Sequence, residues 1–117
     1  MSTGGTEFRI ARLAFDEDVR RILDATAMTP ISVKQIAERL QIPIAYSYRL
    51  VRQMSSAEML KSVKQRGSEV SLYSSNLHSI DLRIEHECLN LVIEFSDGER
   101  KVFEVLSHFG SPPEAHG

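Results

Sequence analysis

Residues 32–54 leave few folds open to the chain, because two helical periods follow one another with only a short turn between them. Val33, Ile36, Ala37 and Leu40 recur at spacings of three and four, and so do Ser47, Leu50, Val51 and Met54. Ser32 stands where a helix cap is needed, and Gln35 three residues later completes a capping box. Gln41 and Ile42 make the turn. Pro43 suits the first turn of the next helix, whose N–H groups have no intrahelical partner in any case. The pattern predicts two short, tightly joined helices, each apolar on one face, the second running over 43–55.

The residues upstream predict a third helix. Val19, Ile22, Leu23, Thr26 and Ala27 keep helical spacing, and Asp16, Glu17 and Asp18 place negative charge at its N-terminus. Thr29-Pro30 is the expected end, since a residue before proline is pushed out of the helical region. Phe8, Ile10, Leu13 and Phe15 form an apolar stretch that periodicity does not assign to helix or strand. Residues 1–7, with Gly4 and Gly5, are expected to be a flexible end.

Downstream the period changes to two. Lys61 to Gln65 and Val70 to Ser75 flank the turn residues Arg66-Gly67-Ser68-Glu69, which predicts a β-hairpin with a basic first arm. Ile31 is expected to add one short strand contact. After Asn76, a second strand pair is expected from Ile80, Leu82 and Ile84, alternating with Asp81, Arg83 and Glu85, and from Leu89, Leu91 and Ile93. Their connection near His86-Glu87-Cys88 has no glycine. Ser96 and Glu99 have capping-box spacing, and Val102, Leu106 and Phe109 have helical spacing, so a C-terminal helix over 97–109 is the preferred reading. Asp97-Gly98 as a hairpin turn followed by a strand over 99–106 is the alternative. Gly110 and Pro112-Pro113 end the run, and 111–117 are expected to be a flexible tail.

Composition bounds the class. At 117 residues, 42% hydrophobic and 26% charged, the chain suits a single domain with a packed core. Cys88 is the sole cysteine, so no intrachain disulfide can form and a reducing, cytoplasmic setting is expected. No apolar run approaches the roughly 18 residues of a membrane span. The net charge of −2 conceals a division. Residues 30–67 hold seven basic and two acidic side chains, a net of +5, while the remainder hold seven and fourteen, a net of −7. A localised positive segment is the footprint expected for phosphate binding.

The order helix, helix-turn-helix, basic hairpin is similar to a winged helix-turn-helix domain. Ile36-Ala37-Glu38-Arg39-Leu40-Gln41-Ile42-Pro43, Tyr48-Arg49-Leu50-Val51-Arg52-Gln53-Met54 and Glu58-Met59-Leu60 resemble the ArsR-like transcription regulators. The resemblance is strongest to a subgroup common in archaea, in which a leucine-tyrosine pair ends the wing, as Leu72-Tyr73 does here. It covers about residues 16–94. Tyr46 replaces the small hydroxyl residue common in the family, and Ala57-Glu58 replaces a glycine. The resemblance implies an α+β fold with a winged helix (three-helix core plus β-hairpin wing) over 8–76, while the C-terminal β-hairpin and helix over 77–110, the least family-like part, rest on periodicity.

It also implies a sequence-specific double-stranded DNA-binding regulator acting as a homodimer. The candidate DNA contacts are Ala45, Tyr46, Tyr48, Arg49, Arg52 and Gln53 on the second helix of the pair, whose N-terminal end is the one that enters a groove. Arginine can grip guanine edges or phosphate, and glutamine can pair with adenine. Tyr46 can bond or pack in the groove, whereas Tyr48 can equally stack into the core. Lys34 can reach a phosphate, and Lys61, Lys64 and Arg66 on the wing suit phosphate or the minor groove. Val102, Phe103, Leu106 and Phe109 are candidates for the dimer surface. The acidic C-terminal region is a candidate site for an effector or protein partner.

Enzymatic and metal functions are not expected. No phosphate loop, nucleophile elbow or two-histidine zinc spacing occurs. His86 and Cys88 would share a strand face, but with one cysteine, and with His78 and His108 scattered, no metal or cofactor is expected. The other reading is a winged-helix protein-interaction module within a larger assembly, since the fold serves both uses.

Overall fold

Asp16 divides the N-terminal third of the chain into two helices. In the computed structural model, which describes residues 3–107 and side chains from Arg9 to Val105, α1 spans Thr3–Phe15 and α2 spans Glu17–Ala25. The Asp16 backbone is extended, and its carboxylate accepts from the N–H groups of Asp18 and Val19 at 2.8 and 3.1 Å. That is an N-cap, so the chain turns there. The apolar stretch over 8–15 is therefore helical, and the helix begins within the segment expected to be loose. Gly4 and Gly5 would each disfavour it by about 1 kcal/mol. The compensation is tertiary, because Ile10, Ala11 and Ala14 are buried against a sheet formed much later in the chain.

Helix α2 stops at Ala25, short of the Thr29-Pro30 end expected from sequence. Thr26 is fully buried, its hydroxyl donates to the Ile22 carbonyl at 2.8 Å, and its own carbonyl accepts from the Ser75 N–H. A strand thus claims the carbonyl just past the helix end. Helix α3 (Val33–Leu40) carries the expected capping box, and Ile31 makes the expected bridge, to Tyr73. Gln41 closes α3 in the left-handed region with φ 57°. The Arg21 guanidinium donates to the Leu40 carbonyl at 2.9 Å, satisfying an end group of α3 from a neighbouring helix. Pro43 is the N-cap of α4 (Ile44–Ser56). As expected, α4 buries Ser47, Leu50, Val51 and Met54, and the Ser47 hydroxyl donates back to the Pro43 carbonyl.

Strands β1 (Leu60–Lys64) and β2 (Ser71–Ser75) form the first antiparallel sheet, and β3 (Leu77–Glu85), β4 (Cys88–Phe95) and β5 (Arg100–Ser107) the second, in the order β3-β4-β5. The fold is α+β, with four helices and two antiparallel sheets among the described residues. Two clusters form the core. One gathers α2, α3 and α4 with Ile31, Met59 and Leu60; the other sets Ile10, Ala11 and Ala14 of α1 on Leu91, Ile93, Phe95 and Phe103. Asn76 stitches the sheets together: its amide donates to the Glu58 carbonyl at 3.0 Å and its Oδ1 accepts from the Ser96 hydroxyl at 2.8 Å. No helix among the described residues is long and apolar enough to cross a membrane.

The C-terminal helix expected over 97–109 is instead strand β5 through Ser107; His108 and Phe109 lie outside the described residues. Gly98 takes φ 93°, the Asp97 carboxylate accepts the Glu99 N–H at 2.9 Å, and Phe95 N–H bonds the Glu99 carbonyl at 2.7 Å. Ser96 and Glu99 therefore belong to a hairpin turn and form no capping box. Burial alternates accordingly: Phe103 is 8% exposed whereas Val102 is 60% exposed. The apolar residues suit either period, and pairing with β4 settles the choice. The β3–β4 connection is a two-residue turn in which His86 and Glu87 both have positive φ, 53° and 63°. His86 consequently lies in the turn and does not share a strand face with Cys88.

Candidate nucleic-acid interface

The face of α4 opposite its buried residues is the centre of the candidate surface. Ala45, Tyr48, Arg49 and Arg52 recur there at spacings of three and four, and all four are exposed. Because Ser47, Leu50, Val51 and Met54 are anchored in the core, this stripe is fixed in direction. Tyr48, ambiguous from sequence, is 53% exposed and does not enter the core. Gln53 is exposed on the flank of the stripe.

Tyr46 departs from its expected groove-facing role. It is half-buried against the helical core, and its hydroxyl donates to Asp18 Oδ2 of α2 at 3.0 Å. Asp18 also pairs with Arg21 at 3.1 Å, so one carboxylate joins α2 to α4 and helps hold the guanidinium that closes α3. Burial, then the hydrogen bond from the phenol to Asp18, then the negative charges of Asp16 and Asp18 push the Tyr46 phenol above its ordinary value of 10.0, against an opposing pull from Arg49. The Arg49 guanidinium lies 5.2 Å from the centre of the Tyr46 ring, a cation–π contact that orients it on the helix surface.

Two depressions flank the stripe. One is lined by Lys34 of α3, Tyr48 of α4, and Glu69, Val70 and Tyr73 near the first hairpin. It brings Lys34 and Tyr48, which are 14 positions apart in sequence, to one surface. The other lies between α1 and α4 and is lined by Arg9, Arg12, Asp16, Arg52 and Gln53. Arg9 and Arg12 are functional candidates outside the basic segment 30–67. Their three-residue spacing puts both on one helix face, a signal that becomes usable only once 8–15 is known to be helical.

The hairpin basic residues are less concentrated than expected. Leu60 is buried, and alternation along β1 puts Lys64 on the same side as Leu60 and Lys61 on the other. Both are exposed, as is Arg66 in the connection, but Lys61 and Lys64 do not form one basic face. The Cys88 thiol lies 3.6 Å from Glu104 Oε2, and no group of three metal-ligating side chains occurs among the described residues. Comparison with known proteins adds nothing to this geometry: no family model matches the chain, and no curated protein matches it in sequence.

Proposed function

We propose that the chain is a sequence-specific double-stranded DNA-binding regulator of transcription that works as a homodimer in the cytoplasm, with α3 and α4 as the helix-turn-helix and β1–β2 as the wing of a winged helix. The observation that carries this reading is the rigid, outward stripe Ala45–Tyr48–Arg49–Arg52 on a helix whose other face is locked in the core. Arg52, with Arg9 and Arg12 across the depression, can grip phosphates on one side of a groove, and Lys34 can do so on the other. Arg49 and Tyr48 then face base edges, Tyr48 offering a ring for a thymine methyl and a hydroxyl for a hydrogen bond. Tyr46 serves to orient Arg49 and brace α4, and does not itself read a base.

Duplex binding measured by fluorescence anisotropy over a range of salt tests this. Affinity is expected to fall steeply as salt rises, because each phosphate neutralised releases counterions. R52A is expected to lower the salt slope by about 1 if Arg52 holds a phosphate, or to cost about 1–3 kcal/mol with relaxed base preference if it reads an edge. Ile44 and Tyr48, both large, apolar and exposed on α4, favour the second reading, a protein-interaction module. No duplex binding at low salt would remove the regulator reading and leave that one.

A further inference from the structure

Strand β3 is the edge of its sheet: β4 pairs with one side of it, and no other strand among the described residues pairs with the other. Its register is regular from Ser79 to Glu85, seven residues without proline or bulge. Leu82 and Ile84, on the face that carries Leu91 and Ile93, are 49% and 66% exposed. A long, regular edge with exposed apolar side chains is a template for another strand. Proteins usually block such edges with charge, and here Asp81, Arg83 and Glu85 alternate with the apolar residues. The order of those charges decides what the edge accepts.

We propose that the edge accepts the same strand of a second copy, antiparallel, with Leu82 facing Leu82 across a two-fold axis. In that register Ile80 faces Ile84 and Ile84 faces Ile80, all on the apolar face, while Asp81 faces Arg83 and Arg83 faces Asp81 on the polar face. Ser79 meets Glu85. Neighbouring symmetric registers fail. Centring on Arg83 sets arginine against arginine and Asp81 against Glu85. Centring on Asp81 sets aspartate against aspartate. Centring on Ile84 opposes Arg83 to Glu85 but pairs only residues 83–85 of each strand, because β3 ends at Glu85. Shifts by a single residue put apolar side chains opposite charged ones. Among these registers the Leu82-centred one pairs all of residues 79–85 with no like charges opposed, and charges directly opposite each other on neighbouring strands interact strongly enough to select it.

The surroundings leave room for it. Beyond Ile80 the edge adjoins an open depression lined by Arg20, Leu23, Asp24, His78, Ser79 and Ile80. The register directs the His86-Glu87 turn of the second copy there. On the apolar face, Phe15, Ile80, Leu82 and Leu91 line a second depression that the Ile84 side chain of the second copy would extend. The product is a six-stranded sheet in the order β5-β4-β3-β3-β4-β5, with one self-complementary contact and closed symmetry. This specifies the two-fold partner in the proposed function and rests on that homodimeric reading; the readout below is self-association without DNA, so the two can fail separately.

Sedimentation equilibrium of the full chain at micromolar concentration is expected to show a dimer. R83D alone and D81R alone set like charges opposite each other twice per dimer, and each is expected to weaken dimerisation about tenfold or more. The double variant D81R/R83D restores opposite charges in the same register and is expected to recover affinity to within a few-fold of the parent. A monomeric parent overturns both the edge pairing and the homodimer. A dimer indifferent to the single reversals, or one that the double variant does not restore, overturns the edge pairing and leaves a homodimer of another form. Amide hydrogen exchange over 79–85 in the unmodified chain gives a readout independent of the variants. It is expected to slow as concentration rises through the dimer range, and concentration-independent exchange there overturns the pairing.

Discussion

Replacing Tyr46 with phenylalanine separates a bracing residue from a DNA-reading one. The substitution removes only the hydroxyl, whose hydrogen bond to Asp18 Oδ2 is 3.0 Å long and partly buried. A hydrogen bond to an ionised acceptor contributes about 1.5–3 kcal/mol net. The lower part of that range applies, because the Asp18 side chain is 28% exposed and keeps Arg21 as a partner after the change. Y46F is therefore expected to destabilise the fold by about 1–2 kcal/mol. For a chain of this length that lowers the melting midpoint by about 4 °C per kcal/mol, read by circular dichroism. Asp18→Ala costs more by itself, since it also removes the ion pair and a negative charge from the first turn of α2. The double-mutant cycle removes those extra effects, and its coupling energy is expected to be about 1 kcal/mol. The ring beneath Arg49 is retained in Y46F, so duplex affinity is expected to change by less than about threefold. An unchanged midpoint together with a tenfold loss of duplex binding would refute the bracing role. The phenol also gives the effect a pH signature. Its value in the folded protein lies above the ordinary 10.0, so its contribution is complete below pH 10 and is lost as pH rises through the folded value. Y46F is expected to lack that alkaline loss.

Backbone positions outside the core give two further tests. His86 holds positive φ without being glycine, so H86N is expected to raise stability by about 0.5–1 kcal/mol in urea unfolding, and a decrease would mean that the imidazole makes a stabilising contact in the turn. Gly98 has φ 93° and nothing within 4 Å of where a Cβ would lie, so G98A is expected to cost about 1 kcal/mol through backbone strain alone, and an unchanged urea midpoint would count against the strained turn that starts β5.

Much of the helical part was legible because its signals are local. The Ser32–Gln35 capping box and the burial of Ser47, Leu50, Val51 and Met54 each follow from residues within a few positions. The first hairpin followed from alternation and a glycine-bearing turn. The outward positions of Arg49, Arg52 and Gln53 were legible for the same reason, since fixing the buried face fixes the opposite one, whereas Tyr48 was open between core and surface.

Long-range partners decided the rest. Residues 8–15 carry apolar side chains that suit helix or strand, and α1 is a helix because β4 and β5 bury Ile10, Ala11 and Ala14. Val102 to Val105 suit both periods as well, and β4 selects the strand by supplying hydrogen bonds along its free side. Tyr46 has the position of a groove reader in sequence, yet Asp18, 28 residues away, takes its hydroxyl. Lys61 and Lys64 look like one basic arm until strand alternation sends them to opposite sides. Arg9 and Arg12 join Arg52 only when α1 lies beside α4. By itself, then, the sequence determined the caps, turn and buried faces of the α3–α4 pair and the first hairpin, whose energies come from neighbours within a helical turn or a hairpin. Only the tertiary structure decided which ambiguous segments became helix or strand and which polar groups remained exposed, because those energies come from contacts that exist only after distant segments have packed.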